Sequence, residues 1–219
     1  MNIFDIIGPV MIGPSSSHTA GAARLGKVAR TIFARKPSHA YIGLYGSFAK
    51  TGKGHGTDKA LVAGILGMGP EDTRIRESFS YAKEEGLDFT IEEISLDGAH
   101  PNTAVLILSD REGNSFRMKG ASIGGGSIEV KEMDGYQVDL NFETPTLVVI
   151  HQDHPGVIAA VTEELYKGEI NICRFTLSRK KKGGEALMSI GLDSMPDPSC
   201  VENIEKIDFV TRAKLLDKI

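Results

Sequence analysis

The chain has 219 residues, enough for one large domain or two modest ones with hydrophobic cores of their own. Hydrophobic residues make up 41% and charged residues 25%, with a net charge of −4 and a pI near 5.9, a balance that points to neither nucleic acid nor an anionic membrane as partner. No stretch approaches the roughly 20 apolar residues that a membrane span needs. The start, Met1-Asn2-Ile3-Phe4-Asp5, lacks the basic and cleavable character of a signal peptide, so a cytoplasmic location is expected.

In chain order, the first helix is expected after Gly13-Pro14-Ser15-Ser16-Ser17, because Leu25, Val28, Ala29, Ile32 and Phe33 share one helical face and Pro37 closes it. Tyr41 to Tyr45 reads as a strand. The glycine-rich segment from Gly46 to Gly56 reads as a flexible loop leading into a helix from about Thr57. A third helix is expected from Ile75 to Glu85, with Gly86 as its stop.

From Phe89 the pattern alternates. Strands are expected around Phe89–Glu93, Ala104–Leu108, Ser115–Lys119, Ile128–Met133 and Tyr136–Phe142, the last two joined by Asp134-Gly135. The region up to Glu143 is therefore mixed α and β with a largely antiparallel sheet. Proline at 145 suggests a boundary, giving domains over 1–143 and 146–219. After it come Leu147–Ile150, a helix over Pro155–Tyr166 with Val157, Ile158, Val161 and Leu165 expected to face inward, Ile170–Ser178, Ala186–Leu192, a helix over Ser199–Glu205, and Phe209–Leu215. That β-α-β-β-α-β order predicts a ferredoxin-like sandwich, so the fold class is α+β.

Only two cysteines are present, Cys173 and Cys200, too few for a four-cysteine zinc site or a cubane cluster. Cys173, in an apolar run, is expected to be a core residue, and Cys200 to be partly exposed. The basic run Arg179–Lys182 before Gly183-Gly184 reads as a solvated hairpin turn.

Four segments carry more glycine and polar residues than packing requires. The run Ser15-Ser16-Ser17-His18-Thr19 at a helix start offers hydroxyls and free backbone N–H groups to a carboxylate or phosphate, whereas simple capping needs one serine. Gly46 to Asp58 fails the phosphate-loop spacing: five residues separate Gly46 from Gly52, and Gly54 follows Lys53 where Ser or Thr is required. What remains there is Lys53 and His55. His100-Pro101-Asn102-Thr103 is a turn whose histidine suits a structural role, and Gly124-Gly125-Gly126 suggests a close approach of backbone or a bulge. A zinc site from His18, His55 and His100 lacks the further ligands such a site needs.

Together, Gly13 to Gly21, Gly46-Ser47 with Thr51 to Asp58, His100 to Thr103 and Ser122 to Gly126 resemble the iron–sulfur-dependent L-serine dehydratase family, in the beta subunit of its two-subunit form. The second domain resembles an ACT domain, with Asp153-His154-Pro155-Gly156-Val157 as its first strand-to-helix loop. The resemblance implies a lyase that converts L-serine to pyruvate and ammonia with a [4Fe-4S] cluster acting as Lewis acid on the hydroxyl. It implies that the cluster ligands lie on a separate alpha subunit, since the sequence ends after the ACT-like part and its cysteines match no ligand position. It offers His18 and His55 as catalytic residues for binding or proton transfer, and Ser15, Ser16, Ser17, Thr19 and Lys53 as substrate-binding residues, with no metal ligand in this chain.

The first domain also resembles the allosteric substrate-binding domain of some D-3-phosphoglycerate dehydrogenases, which implies an alternative: a regulatory subunit that binds serine as effector. The ACT-like domain implies self-association, and Gly156 and Asn171 are candidates to line an effector site.

Overall fold

A computed structural model describes residues 11–218 apart from the side chain of Lys53. The chain divides into two compact units, 1–134 and 135–219. Glu143-Thr144-Pro145, the boundary expected from the sequence, follows a short strand, Tyr136–Leu140, that belongs with the second unit.

The first unit opens with a π-helix, Ser16–Gly21, which runs directly into α1, Ala22–Phe33. The predicted apolar face of α1 is buried at Leu25, Val28, Ala29, Ile32 and Phe33. Ala34, in the left-handed region at φ 55°, ends the helix before Pro37. Strand β1, His39–Leu44, then leads to α2, Ser47–His55, and α3, Thr57–Ile65. The segment expected to be a flexible loop is thus helical. Its glycines disfavour a helix in isolation, but Pro101 O accepts from Ser47 N at 2.7 Å, and the Phe48 ring is fully buried. Tertiary contacts hold what propensity would not.

The third predicted helix is two pieces, a 3₁₀ turn over Thr73–Glu77 and α4 over Ser78–Glu85, stopped by Gly86 at φ 70° as expected. The strands follow as β2, Asp88–Glu93; β3, Thr103–Ser109; β4, Ser115–Gly124; and β5, Ser127–Met133. These five strands lie in the order β2-β1-β3-β4-β5. β1 and β2 are parallel and the other pairs antiparallel, as the sequence reading expects for most of the sheet.

Glycine lets the layers approach. A Cβ on Gly64 would lie 2.1 Å from Ala23 O, and one on Gly26 would lie 2.4 Å from Leu61 O, so α1 and α3 cross backbone against backbone. Gly120 on β4 likewise leaves room for the Leu25 side chain of α1.

The second unit begins with β6, Tyr136–Leu140, after Asp134 and Gly135 at φ 48° and 81°, the left-handed pair that a tight type I′ turn requires. It continues through β7, Thr146–Gln152; α5, Val157–Lys167; β8, Ile172–Arg179; β9, Glu185–Leu192; α6, Pro198–Glu205; and β10, Val210–Leu216. The sheet order β10-β7-β9-β8, antiparallel throughout, is the predicted ferredoxin-like arrangement. Its core gathers Leu147, Val149, Val161, Leu165, Met188, Ile190 and Ile204 beneath α5 and α6.

Both cysteines correct the sequence reading. A register shift between Ile172 and Arg174 places Cys173 at a bulge, where it is exposed. Cys200 is buried because it shares the inner face of α6 with Ile204, four residues on. No helix among the described residues is long and apolar enough to cross a membrane.

Candidate functional site

In the first unit the π-helix and α2 bring together most of the predicted site residues. Ser15 caps the π-helix, its Oγ accepting from the His18 N–H at 3.2 Å, and lies 3.4 Å from His18 Nδ1. Thr19, in the following turn, is buried beneath Gly13, and its hydroxyl donates to His55 O at 3.4 Å. His55 is the last residue of α2 and exposed; its ring centroid lies 5.0 Å from that of His18. Two histidines far apart in sequence thus form one pair.

Ser16 and Ser17 lie half-buried in the π-helix, and their hydroxyls have no hydrogen-bond partner among the described residues. Lys53 sits on α2, with its side chain outside the described residues.

Two residues that lie in the family motif, but to which the sequence assigned no role, complete the surroundings of His18. Its Nε2 is 3.1 Å from Ser47 Oγ and 3.0 Å from Thr51 Oγ1, while the Phe48 ring meets the imidazole edge to face at 5.4 Å. Ser47 and Thr51 are four residues apart on α2, so both face one side. That spacing is the signal that would have found them, but it is readable only once the segment is known to be helical. Burial lowers the pKa of His18, the nearby His55 lowers it further, and hydrogen bonding to Ser47 partly offsets both. His18 is therefore biased toward the neutral imidazole, the form that can accept a proton.

The other two predicted segments act behind this pair. The Asn102 N–H donates to His100 Nδ1 at 3.1 Å, and the Thr103 hydroxyl to His100 O at 2.6 Å, so His100 holds its own turn. Pro101 O accepts from the α2 N-terminus, and Gly46, at φ 62°, has no room for a Cβ, which would lie 2.6 Å from that oxygen. Asn102 O accepts from Ser122 N at 3.0 Å. Ser122 in turn packs on Gly21 at the end of the π-helix, where a Cβ would come within 2.0 Å of its Oγ. Gly124, Gly125 and Gly126 all have left-handed φ values at a register shift, and Gly126 O accepts from Arg24 Nη1 at 2.7 Å. The triple glycine shapes a bulged turn.

Open clefts flank the histidine pair: one of about 420 Å³, lined by Gly13, Thr19, His55 and Lys59 among others, and one of about 390 Å³, which includes Ser47, Lys50 and Thr51. A larger cleft, about 500 Å³, lies beyond the end of α1, but its walls are the ion-paired Arg35, Lys36, Glu85, Asp110 and Glu112 rather than groups suited to proton transfer. Among the described residues no three His, Cys, Asp or Glu side chains are placed to hold a metal ion. His18 and His55 pair without His100, so the zinc reading gains no ligand set.

In the second unit, the Asn171 amide donates to Asp193 Oδ2 at 2.6 Å, and Gly156, at φ 95°, turns the chain into α5.

The serine dehydratase beta chain family matches residues 2–86. A probable L-serine dehydratase, beta chain, of Bacillus subtilis (strain 168) is 44% identical over 217 residues, 99% of this chain and 98% of that one. The L-serine dehydratase, beta chain, of Peptoniphilus asaccharolyticus is 36% identical over 98% of this chain and 97% of that one. A D-3-phosphoglycerate dehydrogenase of Bacillus subtilis is 31% identical over 163 residues, 73% of this chain but 30% of that protein. A solved ACT domain, from a GTP pyrophosphokinase of Chlorobium tepidum, superposes on 33% of this chain at 16% identity with a TM-score of 0.27, too slight to add to what the strand order says. With two relatives matched almost from end to end, this chain belongs to the family of L-serine dehydratase beta chains.

Proposed function

We propose that this chain is the beta subunit of an L-serine ammonia-lyase, which acts with an alpha subunit in the cytoplasm to convert L-serine to pyruvate and ammonia. The observation that carries the reading is the pairing of His18 with His55 beside the half-buried hydroxyls of Ser16 and Ser17, in a chain that matches dehydratase beta chains along its length. The free thiols of Cys173 and Cys200 suit a reducing compartment.

The reaction removes the α-proton and the β-hydroxyl of serine as water; the resulting enamine becomes an imine, and water then releases ammonia. The described residues do not fit a [4Fe-4S] cluster: Cys173 is on an edge strand, Cys200 is inside the α5–α6 layer, and no other ligand set accompanies them. On the reading proposed here, the cluster ligands belong to the alpha subunit.

This chain's own contribution is binding and proton handling. Ser15, Ser16, Ser17 and Lys53 are offered to the serine carboxylate, with Thr19 fixing the π-helix to the end of α2. His18, held neutral, can take a proton near pH 7, and the exposed His55 can exchange one with solvent. Self-association through the ACT-like unit belongs to the same proposal.

The test is anaerobic reconstitution: the purified chain is mixed with its cluster-loaded alpha subunit, and pyruvate formation from L-serine is followed. The expected result is turnover that needs both chains and is lost in air. Full activity from the alpha subunit alone would make this chain a regulator or scaffold.

A further inference from the structure

The hydroxyls around His18 do more than fill space, because their protons can be assigned. Thr51 has one hydroxyl proton, and it is donated to Ser47 O at 2.8 Å, one turn back on α2. Toward His18 Nε2, 3.0 Å away, the Thr51 oxygen can then only accept, which favours a hydrogen on Nε2 over a bare Nε2 that only the Ser47 hydroxyl could serve. Ser47 Oγ, 3.1 Å from the same nitrogen, accepts a second share of that hydrogen and can direct its own proton to Thr51 Oγ1 at 3.4 Å.

At the other ring nitrogen the pattern is complementary. Ser15 Oγ already accepts from the His18 N–H, leaving its hydroxyl proton to point at Nδ1, 3.4 Å away. Every donor in the set then has an acceptor. In the opposite tautomer, the Nε2 lone pair would face a Thr51 lone pair at 3.0 Å unless Thr51 gave up its bond to the backbone. Protonation leaves the scheme intact: Nε2–H stays on Thr51, and Ser15 rotates its hydroxyl to accept from Nδ1–H.

We infer that Thr51, supported by Ser47, is a positioning residue that holds His18 in the Nε2–H tautomer and leaves Nδ1, on the Ser15 side, as the nitrogen that gains and loses a proton. The inference deepens the proposed function, since it rests on His18 serving in proton transfer. It names two residues of α2 that set which face of the imidazole meets the substrate, and it moves Ser15 from carboxylate contact to partner of the reactive nitrogen.

The test is the histidine ¹⁵N spectrum of the full-length chain, recorded well above pH 6.5 so that His18 is neutral. The expected wild-type result is a protonated Nε2 and a bare Nδ1. Thr51→Val, which keeps the shape and removes the oxygen, should raise the Nδ1–H population about tenfold, the equivalent of one hydrogen bond. Thr51→Ser should restore the wild-type ratio. A wild-type His18 protonated at Nδ1 would overturn the inference, and so would an unchanged ratio in a folded Thr51→Val chain. The wild-type spectrum decides the tautomer by itself, so a Val variant that failed to fold would not shelter the idea.

In the assembled enzyme, Thr51→Val should lower kcat more than it raises KM for L-serine, with Thr51→Ser recovering most of the loss. The spectrum needs no alpha subunit and no turnover. An enzyme that failed to make pyruvate would therefore count against the proposed function, while a wrong tautomer would count against this inference alone.

Discussion

Two helix starts in this chain use similar residues to different ends. Ahead of α1 stand Ser15, Ser16, Ser17, His18 and Thr19; ahead of α5 stand Asp153, His154, Pro155 and Gly156. In the second, the polar groups are committed to structure. Asp153 Oδ2 accepts from Gly183 N at 2.9 Å and from Arg179 Nη1 at 2.6 Å, pinning the loop to the β8–β9 turn, and those two bonds hold its carboxyl below the usual carboxylate range. The His154 ring stacks flat on Phe209 with centroids 4.0 Å apart. In the first, the polar groups reach across to α2, surround an imidazole and face open clefts. Residue type alone therefore does not mark a reactive site; what matters is whether the neighbouring elements consume the polar atoms or leave them facing solvent.

The largest stability effect that would sharpen this contrast lies beneath α5. Leu165 is fully buried in the second unit's core, and Leu165→Ala should cost about 2–5 kcal/mol by loss of contacts and a residual cavity. Chemical denaturation should register that loss while the His18 ¹⁵N signals stay as in the wild type. Altered His18 signals would show that the two regions are coupled.

A somewhat smaller effect is expected where glycine permits close approach in the first unit. Gly46→Ala forces a Cβ against Pro101 O and a side chain into a left-handed backbone, which should cost roughly 1–3 kcal/mol. Because that contact seats the start of α2, the His18–Thr51 hydrogen bond should weaken with it, a change the ¹⁵N spectrum reads directly. Ser122→Ala acts in the opposite direction. The Ser122 hydroxyl is buried without a hydrogen-bond partner among the described residues, so its removal should raise stability by about 1 kcal/mol in a thermal melt. A loss of more than that would reveal a partner for the hydroxyl.

The smallest effects are pH-dependent, and they separate the two helix starts by window. The folded pKa of His18 lies below 6.5, so the unfolded chain binds its proton first as pH falls; stability is full above pH 6.5 and declines from there down to the folded value. Asp153 is also lowered, relative to 3.8, but as an acid: it contributes stability above pH 3.8, and that contribution disappears as pH falls from there through its folded pKa. Denaturation profiles of His18→Gln and Asp153→Asn against wild type should therefore flatten in different pH ranges. Profiles that change in the same range would contradict the assignment of the two groups.

The second unit was largely legible in the sequence because periodicity and burial agree there. Val157, Val161 and Leu165 face inward as their spacing predicts, although Ile158, expected on the same face, is exposed, and each strand falls within a few residues of its expected span. The first unit was legible in its sheet and in α1, less so at its site. Glycine at 46, 52, 54 and 56 argued against a helix, whereas the buried Phe48 anchors the segment from inside. The π-helix has no sequence signature comparable to a cap or a heptad, yet it sets which way His18 points. The role of Ser47 and Thr51 stayed hidden for the same reason: their shared face exists only once α2 is a helix. The cysteines exchanged roles because a bulge in β8 and an inner face of α6 are tertiary facts.

On the proposed function, the His18 site belongs to the active centre rather than to a regulatory one. That assignment is tested most directly by the maximal rate of the assembled enzyme carrying His18→Ala. Intact assembly is expected, with turnover at saturating L-serine lower by about 10²–10⁴-fold, the range for loss of a general acid–base group. An unchanged maximal rate with altered cooperativity toward L-serine would contradict it and make the site an effector site.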